Sequence, residues 1–343
     1  MQTTNQLRTQ LETAVFRAAL GLPARVQRLL VGAPVVRDGQ TLATDTQLML
    51  RLQQVVREPG AETLPVPQGR VALLRQSRLA GGDLPVGSVR DLTVAGLPGR
   101  LYTPEHAPET GPLLVFLHGG GFMYGDLESH DAPCRYLAER AHVRVLAVEY
   151  RLGPEDRFPA AYDDGFAAFR WAHQHAGEIG ADPQRIGVGG DSAGANLSIG
   201  VAVQAAHAGL ACAAQILVYP ATDGTRDTRS LELFRTGFFL TSEFMHLATD
   251  SYAARPDDVL DPRFSPAFAD LPSGLAPAWV FTAGFDPLRD EGEAFAQRLS
   301  EAGVAVRLTR FPDQIHGFLN VMVSRSSLAA NAEIAVAVRV ALG

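Results

Sequence analysis

Six apolar runs of strand length follow one another along this chain with helical segments between them: Leu113–Leu117, Val143–Val148, Arg185–Val188, Ala214–Val218, Ala278–Thr282 and Val304–Phe311. Through most of them the apolar residues are continuous rather than alternating, the pattern of strands covered on both faces. Strand and helix taking turns in this way predict an α/β fold, a mostly parallel sheet with helices on either side. A chain of 343 residues can bury one large domain of that kind with an appendage, or two modest domains. Just ahead of the first run, Val89–Val94 and Gly99–Tyr102 alternate instead, and predict an antiparallel hairpin turning around Leu97-Pro98-Gly99.

The N-terminal part has a different texture. From about residue 5 to 31, apolar residues recur at helical spacing (Leu7, Leu11, Ala14, Val15, Ala18, Ala19, then Val26, Leu29, Leu30), with Pro23 breaking the run. A second helix is expected over Thr44–Glu58, ending at Pro59-Gly60. Gly81-Gly82-Asp83-Leu84-Pro85 reads as a linker. This divides the chain into an N-terminal helical segment, 1–85, and an α/β domain, 86–343. Inside the latter, residues 221–265 lie between two strands without a strand of their own. They are too many for an ordinary connection, and helices standing beyond the sheet are expected there.

Composition removes several classes of function. A formal net charge of -7 leaves no basic footprint for nucleic acid. Two cysteines, Cys134 and Cys212, cannot make a disulfide framework and read as buried thiols. Arg8, Arg17, Arg25 and Arg28 interrupt every apolar run at the N-terminus, and no small-residue cleavage site follows, so no secretory signal is expected. No stretch approaches the roughly 20 apolar residues of a membrane helix. The expected setting is cytoplasmic, with no membrane partner.

The sharpest local motif is Gly190-Asp191-Ser192-Ala193-Gly194, between the strand Arg185–Val188 and a helical run from Ala195 to His207. A serine on such a tight strand-to-helix turn adopts a strained backbone, and its neighbours must be small. Its oxygen then stands at the end of the sheet, over a helix N-terminus that favours negative charge. Gly187-Val188-Gly189-Gly190 resembles a dinucleotide loop only superficially, because the third glycine position holds Ser192. No phosphate loop and no metal-ligand spacing occurs either, so neither a cofactor nor a metal is expected.

A second motif, His118-Gly119-Gly120-Gly121-Phe122, directly follows the strand Leu113–Leu117. Successive glycines let backbone N–H groups turn toward a bound oxyanion, in company with the N–H of Ala193. His118 and Gly119 are read as supports of this loop. In a fold of this kind the acid and then the histidine come after the serine. His207 lies on the helix that starts at the serine, pointing away from it, and His246 lies in the 221–265 stretch. His316 remains, following the last strand. Asp286 follows the strand Ala278–Thr282, whereas Asp290 and Glu291 come later and Asp313 shares the loop of His316. The expected triad is Ser192, Asp286 and His316.

Taken together, His118-Gly-Gly-Gly121, Glu149-Tyr-Arg-Leu-Gly-Pro-Glu155, Phe158-Pro-Ala-Ala161, Asp163-Asp164, Gly190–Gly194, Asp286-Pro-Leu-Arg-Asp-Glu-Gly292 and His316-Gly-Phe318 resemble the bacterial hormone-sensitive-lipase group of carboxylesterases, family IV of the α/β hydrolases. Aspartate before the serine resembles one subgroup of that family. The resemblance implies a central, mostly parallel eight-stranded sheet and a helical cap made of the N-terminal helices and 221–265. It implies that Gly120 and Gly121 give the oxyanion N–H groups, and it suggests a homodimer through the sheet edge. Tyr150, Arg151 and Glu155 are read as a buried ion-pair network under the active-site loops. Gly153, Asp156-Arg157 and Gln314 depart from the family's commoner residues.

The activity expected from these residues is hydrolysis of short- to medium-chain carboxylic esters through an acyl-enzyme, in a pocket that could include Phe122, Phe238 and Phe239. The same triad would also serve an amidase, lactonase or acyltransferase. A ligand-binding protein on a decayed hydrolase fold would lack a triad member, and none is missing here.

Overall fold

The computed structural model describes residues 14–56 and 60–343. The expected apolar positions Leu7 and Leu11, and the end of the second helix at Glu58-Pro59, lie outside the described residues.

One eight-stranded sheet organises the chain: β1 Ser88–Val94, β2 Leu97–Thr103, β3 Gly111–Leu117, β4 Arg144–Val148, β5 Ala181–Asp191, β6 Gln215–Val218, β7 Ala278–Phe285 and β8 Val306–Ile315. Their spatial order is β8-β7-β6-β5-β3-β4-β2-β1. Only the β1–β2 and β2–β4 pairings are antiparallel. All seven residues of β3 and all five of β4 are buried, because helices cover both faces. On one face lie α5 (Ala160–Gln174), α6 (Ala193–Ala208) and α9 (Arg289–Glu301); on the other, α4 (Asp131–Ala141) and α10 (Arg325–Leu342). Each fully buried Leu, Val or Phe contributes about 1.5–3 kcal/mol before conformational entropy is counted. These runs therefore set where the sheet forms.

The first hairpin differs from expectation in its turn. It closes on Ala95-Gly96, with φ of 52° and 86°, and Leu97-Pro98-Gly99 belongs to β2. Two residues with positive φ match the twist of the flanking strands better than a wider loop.

The N-terminal segment contains helix at 14–21, then α1 Ala24–Val31, a two-stranded hairpin Val36–Arg37/Gln40–Thr41, α2 Thr44–Val56 and α3 Val66–Gly81. The sequence reading missed α3. Its apolar stripe is weak and it contains Gly69, a poor helix former. That glycine has a packing reason: a Cβ there would meet the Tyr124 hydroxyl at 2.1 Å, and this hydroxyl donates to the Ala61 carbonyl. The linker reading at 81–85 holds from Gly82 on, while Gly81 ends the helix.

Residues 221–265 form α7 Arg229–Phe234, α8 Ser242–Tyr252 and a 3-10 turn Pro256–Leu260. Thr228 and Thr241 cap the two helices, accepting the N–H groups of Leu231 and Phe244. Helix α8 lies over the glycine loop. Phe122 stacks on Tyr252 with ring centroids 4.2 Å apart, and a Cβ on Gly121 would meet Ala248 and Phe244 at 2.8 and 3.0 Å.

Candidate active site

Ser192, Asp286 and His316 stand directly beyond the carboxyl ends of β5, β7 and β8. Strand β5 lies between β3 and β6, so the serine emerges near the middle of the sheet. Its backbone has φ 54° and ψ -117°, a strained geometry for a residue with a side chain. Packing enforces it. A Cβ on Gly190 would lie 2.1 Å from the Leu117 carbonyl oxygen, and one on Gly194 only 1.9 Å from the same atom. The Ser192 N–H is held by the Val218 carbonyl at 2.9 Å, and α6 begins at the next residue.

From the serine, a line of hydrogen bonds runs inward. Ser192 Oγ is 3.0 Å from His316 Nε2, and His316 Nδ1 is 2.8 Å from Asp286 Oδ2. Asp286 is completely buried, and its other oxygen accepts the Leu288 N–H at 2.8 Å. A carboxylate as acceptor at Nδ1 places the imidazole proton there and leaves Nε2 free to take the serine's proton. Tyr219 flanks the imidazole at 4.5 Å between ring centroids.

The glycine loop is held from below. The Gly119 N–H donates to Asp191 Oδ1 at 2.8 Å. Asp191 also accepts from His130 Nε2 at 3.2 Å and from the Tyr219 hydroxyl at 3.3 Å. Burial alone would raise its carboxyl, but His130 and the Gly119 N–H outweigh it and hold Asp191 below the usual carboxylate range. With Gly119 committed to Asp191, Gly120 (φ 121°) and Gly121 (φ 64°) reach left-handed conformations that favour glycine, and the Gly120 carbonyl turns back to accept from Met123 and Tyr124. Among the described residues no protein acceptor takes the N–H groups of Gly120, Gly121 or Ala193.

His118 sits behind this loop. Its Nδ1 donates to the Gly119 carbonyl, its ring stacks on Tyr150 at 4.3 Å, and the Tyr150 hydroxyl donates to the His118 carbonyl at 2.7 Å. Burial, with His130 nearby, lowers its pKa to about 4, so the ring is neutral at ordinary pH. Among the described residues no hydrogen bond joins its ring to Ser192.

Two expectations need correction. Arg151 and Glu155 are not buried: their side chains are 46% and 54% exposed. Arg151 is tied to Asp164, while Glu155 pairs with Arg70 of α3. Arg70 in turn donates to the Met123 and Gly153 carbonyls at 2.8 Å, fastening α3 to the glycine loop. The two ion pairs clamp loops from the surface.

Of the three phenylalanines, Phe122 is buried against Tyr252 and Phe264. Phe238 packs on Phe234 and Phe285, beside the acid rather than the serine. Phe239 is 42% exposed and lies against Gly317, next to the histidine. Burial pushes both thiols up, Cys212 to about 12, which leaves neither cysteine nucleophilic. Among the described residues there is no cluster of metal-ligating side chains and no helix long and apolar enough to cross a membrane. Sequence reasoning missed Arg70, His130 and the role of Asp191. Only Asp191, adjacent to the serine, carried a local signal.

A strained serine joined through an imidazole to a buried carboxylate is the nucleophile geometry of acyl-transfer hydrolases. Comparison with known proteins agrees. A family model described as the alpha/beta hydrolase fold matches residues 114–320. The chain is 43% identical to carboxylic ester hydrolase LipN of Mycobacterium tuberculosis, over 93% of this chain and 88% of that one. It is 42% identical to ethyl acetate hydrolase of Pseudomonas putida, over 66% and 72% of the two chains. Among solved structures, ester-hydrolase EH1AB1 from the Lake Arreo metagenome, bound to a bipyridine phosphonate derivative, superposes with a TM-score of 0.84 at 40% identity, covering 87% of this chain and 98% of that one. The chain belongs to the α/β-hydrolase family, among its bacterial hormone-sensitive-lipase-like carboxylesterases.

Proposed function

We propose that the protein is a serine carboxylesterase in which Ser192 is the nucleophile, His316 the general base and acid, and Asp286 the residue that orients the imidazole. The observation that carries this reading is the unbroken line from Ser192 Oγ through His316 to Asp286, at 3.0 and 2.8 Å. His316 Nε2 takes the serine proton as Oγ attacks the ester carbonyl. The oxygen that becomes negative is received by the N–H groups of Gly120, Gly121 and Ala193, at the positive end of α6. The tetrahedral intermediate collapses, the alcohol leaves with the proton from His316, and an acyl-serine remains. Water, deprotonated by the same imidazole, then attacks the acyl carbon and the acid departs.

Esters of short to medium acyl chains are the proposed substrates. Phe244 and Ala248 of α8 close on Gly121 from above, and Phe239 lies over Gly317. One relative is named for a small ester, ethyl acetate hydrolase of P. putida, and another is named an arylesterase, from Saccharolobus solfataricus. Helix α8 and the N-terminal helices act as the cap: the Thr241 hydroxyl reaches Glu62 at 3.2 Å, joining the two parts over the site.

Hydrolysis of p-nitrophenyl esters from acetate to palmitate tests this, with Ser192→Ala measured in parallel. Turnover is expected to peak at short acyl chains and to fall by about three orders of magnitude or more in the variant. Full turnover in Ser192→Ala would sink the assignment.

A further inference from the structure

Arg226 is a half-buried cation with no anion against it. Its backbone is held at φ 56°, and its guanidinium donates from Nη1 to the Met245 carbonyl at 2.9 Å. Among the described residues it makes no ion pair. Two acids stand in the neighbourhood, and both are engaged. Glu291 Oε1 accepts the N–H groups of Thr222 and Asp223, at 2.7 and 3.2 Å. Asp223 Oδ1 accepts from the N–H and hydroxyl of Thr225. Burial pulls the Arg226 pKa down, against the pull of these two acids. A desolvated guanidinium with one neutral partner is costly unless an anion joins it.

That guanidinium lines a cavity of about 440 Å³, within the range that holds small ligands. Ser242, Thr249 and His246 supply polar groups around it, and the exposed Asp250 is also on its wall. The apolar side, Leu231 and Met245, leads toward the reacting groups. Both pack in one cluster with Ala221 and Leu288. The Ala221 N–H donates to the Ser192 carbonyl at 3.4 Å, and the Leu288 N–H to Asp286. Residues packed against the cavity's apolar side are thus hydrogen-bonded to the nucleophile's backbone and to its acid.

We infer that this cavity is a carboxylate-binding site, with Arg226 as the anchor of the anion and Ser242 and Thr249 as its neutral partners. A guanidinium offers a carboxylate two parallel N–H donors, which a neutral ligand cannot use as well. The carboxylate comes either from the far end of an ester substrate's acyl chain or from a free carboxylic acid. Only the first source rests on the esterase reading.

The test compares hydrolysis of monoethyl glutarate, which carries a distal carboxylate, with that of neutral ethyl pentanoate. Wild type, Arg226→Gln, Arg226→Lys and Ser242→Asp are assayed, and thermal unfolding is followed in rising glutarate. If the carboxylate belongs to the substrate, Arg226→Gln and Ser242→Asp lower kcat/KM for monoethyl glutarate roughly tenfold or more, and Arg226→Lys loses less. Ethyl pentanoate then stays within about twofold. If the carboxylate is a free acid, both esters respond alike, and glutarate raises the unfolding temperature of the wild type but not of Arg226→Gln. Should Arg226→Gln fail to fold, Ser242→Asp decides, because aspartate is favoured in the first turn of a helix. The inference is overturned if glutarate leaves wild-type unfolding unchanged and the half-ester is no more sensitive to the substitutions than the neutral ester. Should the wild type hydrolyse neither ester, the unfolding series decides the cavity by itself, and the esterase reading stands or falls on the p-nitrophenyl assay.

Discussion

The Asp38 carboxylate lies 2.9 Å from Arg289 Nη2, so the turn of the N-terminal hairpin is bonded to the first residue of the helix that follows Asp286. Arg289 is almost wholly buried and also donates to the Gly284 carbonyl, which accepts a second bond from Gln40. A little further along, the Ala43 N–H donates to the Asp313 carbonyl, just before His316. One short segment near the N-terminus thus holds the loop of the acid and the loop of the histidine together. Asp38→Ala should loosen both. We expect kcat to fall about ten- to a hundredfold with KM little changed, since small misplacements of reacting groups cost that much. Asp38→Glu should recover part of the loss. Steady-state kinetics on p-nitrophenyl acetate checks it, and a drop in melting temperature with unchanged kcat would reduce the hairpin to a structural tie.

The elbow leaves no room at Gly194. A methyl group there would sit 1.9 Å from the Leu117 carbonyl oxygen and 2.6 Å from the His118 carbonyl oxygen, both backbone atoms that cannot swing aside. Gly194→Ala must therefore push the serine turn away from β3. Expected is a loss on the order of 3 kcal/mol of stability, together with loss of activity in whatever folds. Gly209→Ala is the control within the same helix region: its Cβ would meet nothing within 4 Å, although its φ of 63° still costs some strain. Urea unfolding of the two variants separates these cases.

Asp191 offers a graded test of the glycine loop. Asparagine keeps an oxygen for the Gly119 N–H and loses only the charge that faces His130; alanine loses both. Asp191→Ala should release the loop and cost much of one oxyanion donor, about a hundred- to a thousandfold in kcat. Asp191→Asn should cost clearly less. Equal losses in the two variants would show that charge, not the bond to Gly119, holds the loop.

Much of this site could be read from the chain because its signals are local. The serine announces itself through Gly190 and Gly194, and both glycines answer to one atom, the Leu117 carbonyl oxygen. Asp286 and His316 could be chosen because each comes after the serine and a few residues beyond a strand-length run, Ala278–Thr282 and Val304–Phe311. What could not be read is what joins distant segments. Gln40 meets Gly284, and Arg70 meets Glu155, through contacts that no periodicity records. Helix Val66–Gly81 stayed hidden for a related reason: Gly69 is there to admit Tyr124, a residue from another part of the chain. The exposure of Arg151 and Glu155 was misjudged because a charged motif between buried strands gives no hint of which side chains reach solvent.

Glu291 makes stability depend on pH in an unusual direction. It is fully enclosed, and burial raises its pKa to about 8, against the two N–H groups of Thr222 and Asp223 and the charge of Arg226. Unfolded, it titrates near 4.5. Between those values the folded protein holds a proton that the unfolded chain has released, so this group makes stability fall as pH rises from about 4.5 to about 8. Below that window both states are protonated, and above it both are ionised, so the slope vanishes. Both backbone N–H groups donate to the same oxygen, Oε1, which a glutamine can present equally well. Glu291→Gln should therefore unfold at nearly the wild-type temperature at pH 4.5 and at a higher one at pH 8, with the gap opening steadily between. Calorimetric melts across that range check it. A constant gap, or one that closes as pH rises, would mean that Glu291 is ionised in the folded protein and paired with Arg226.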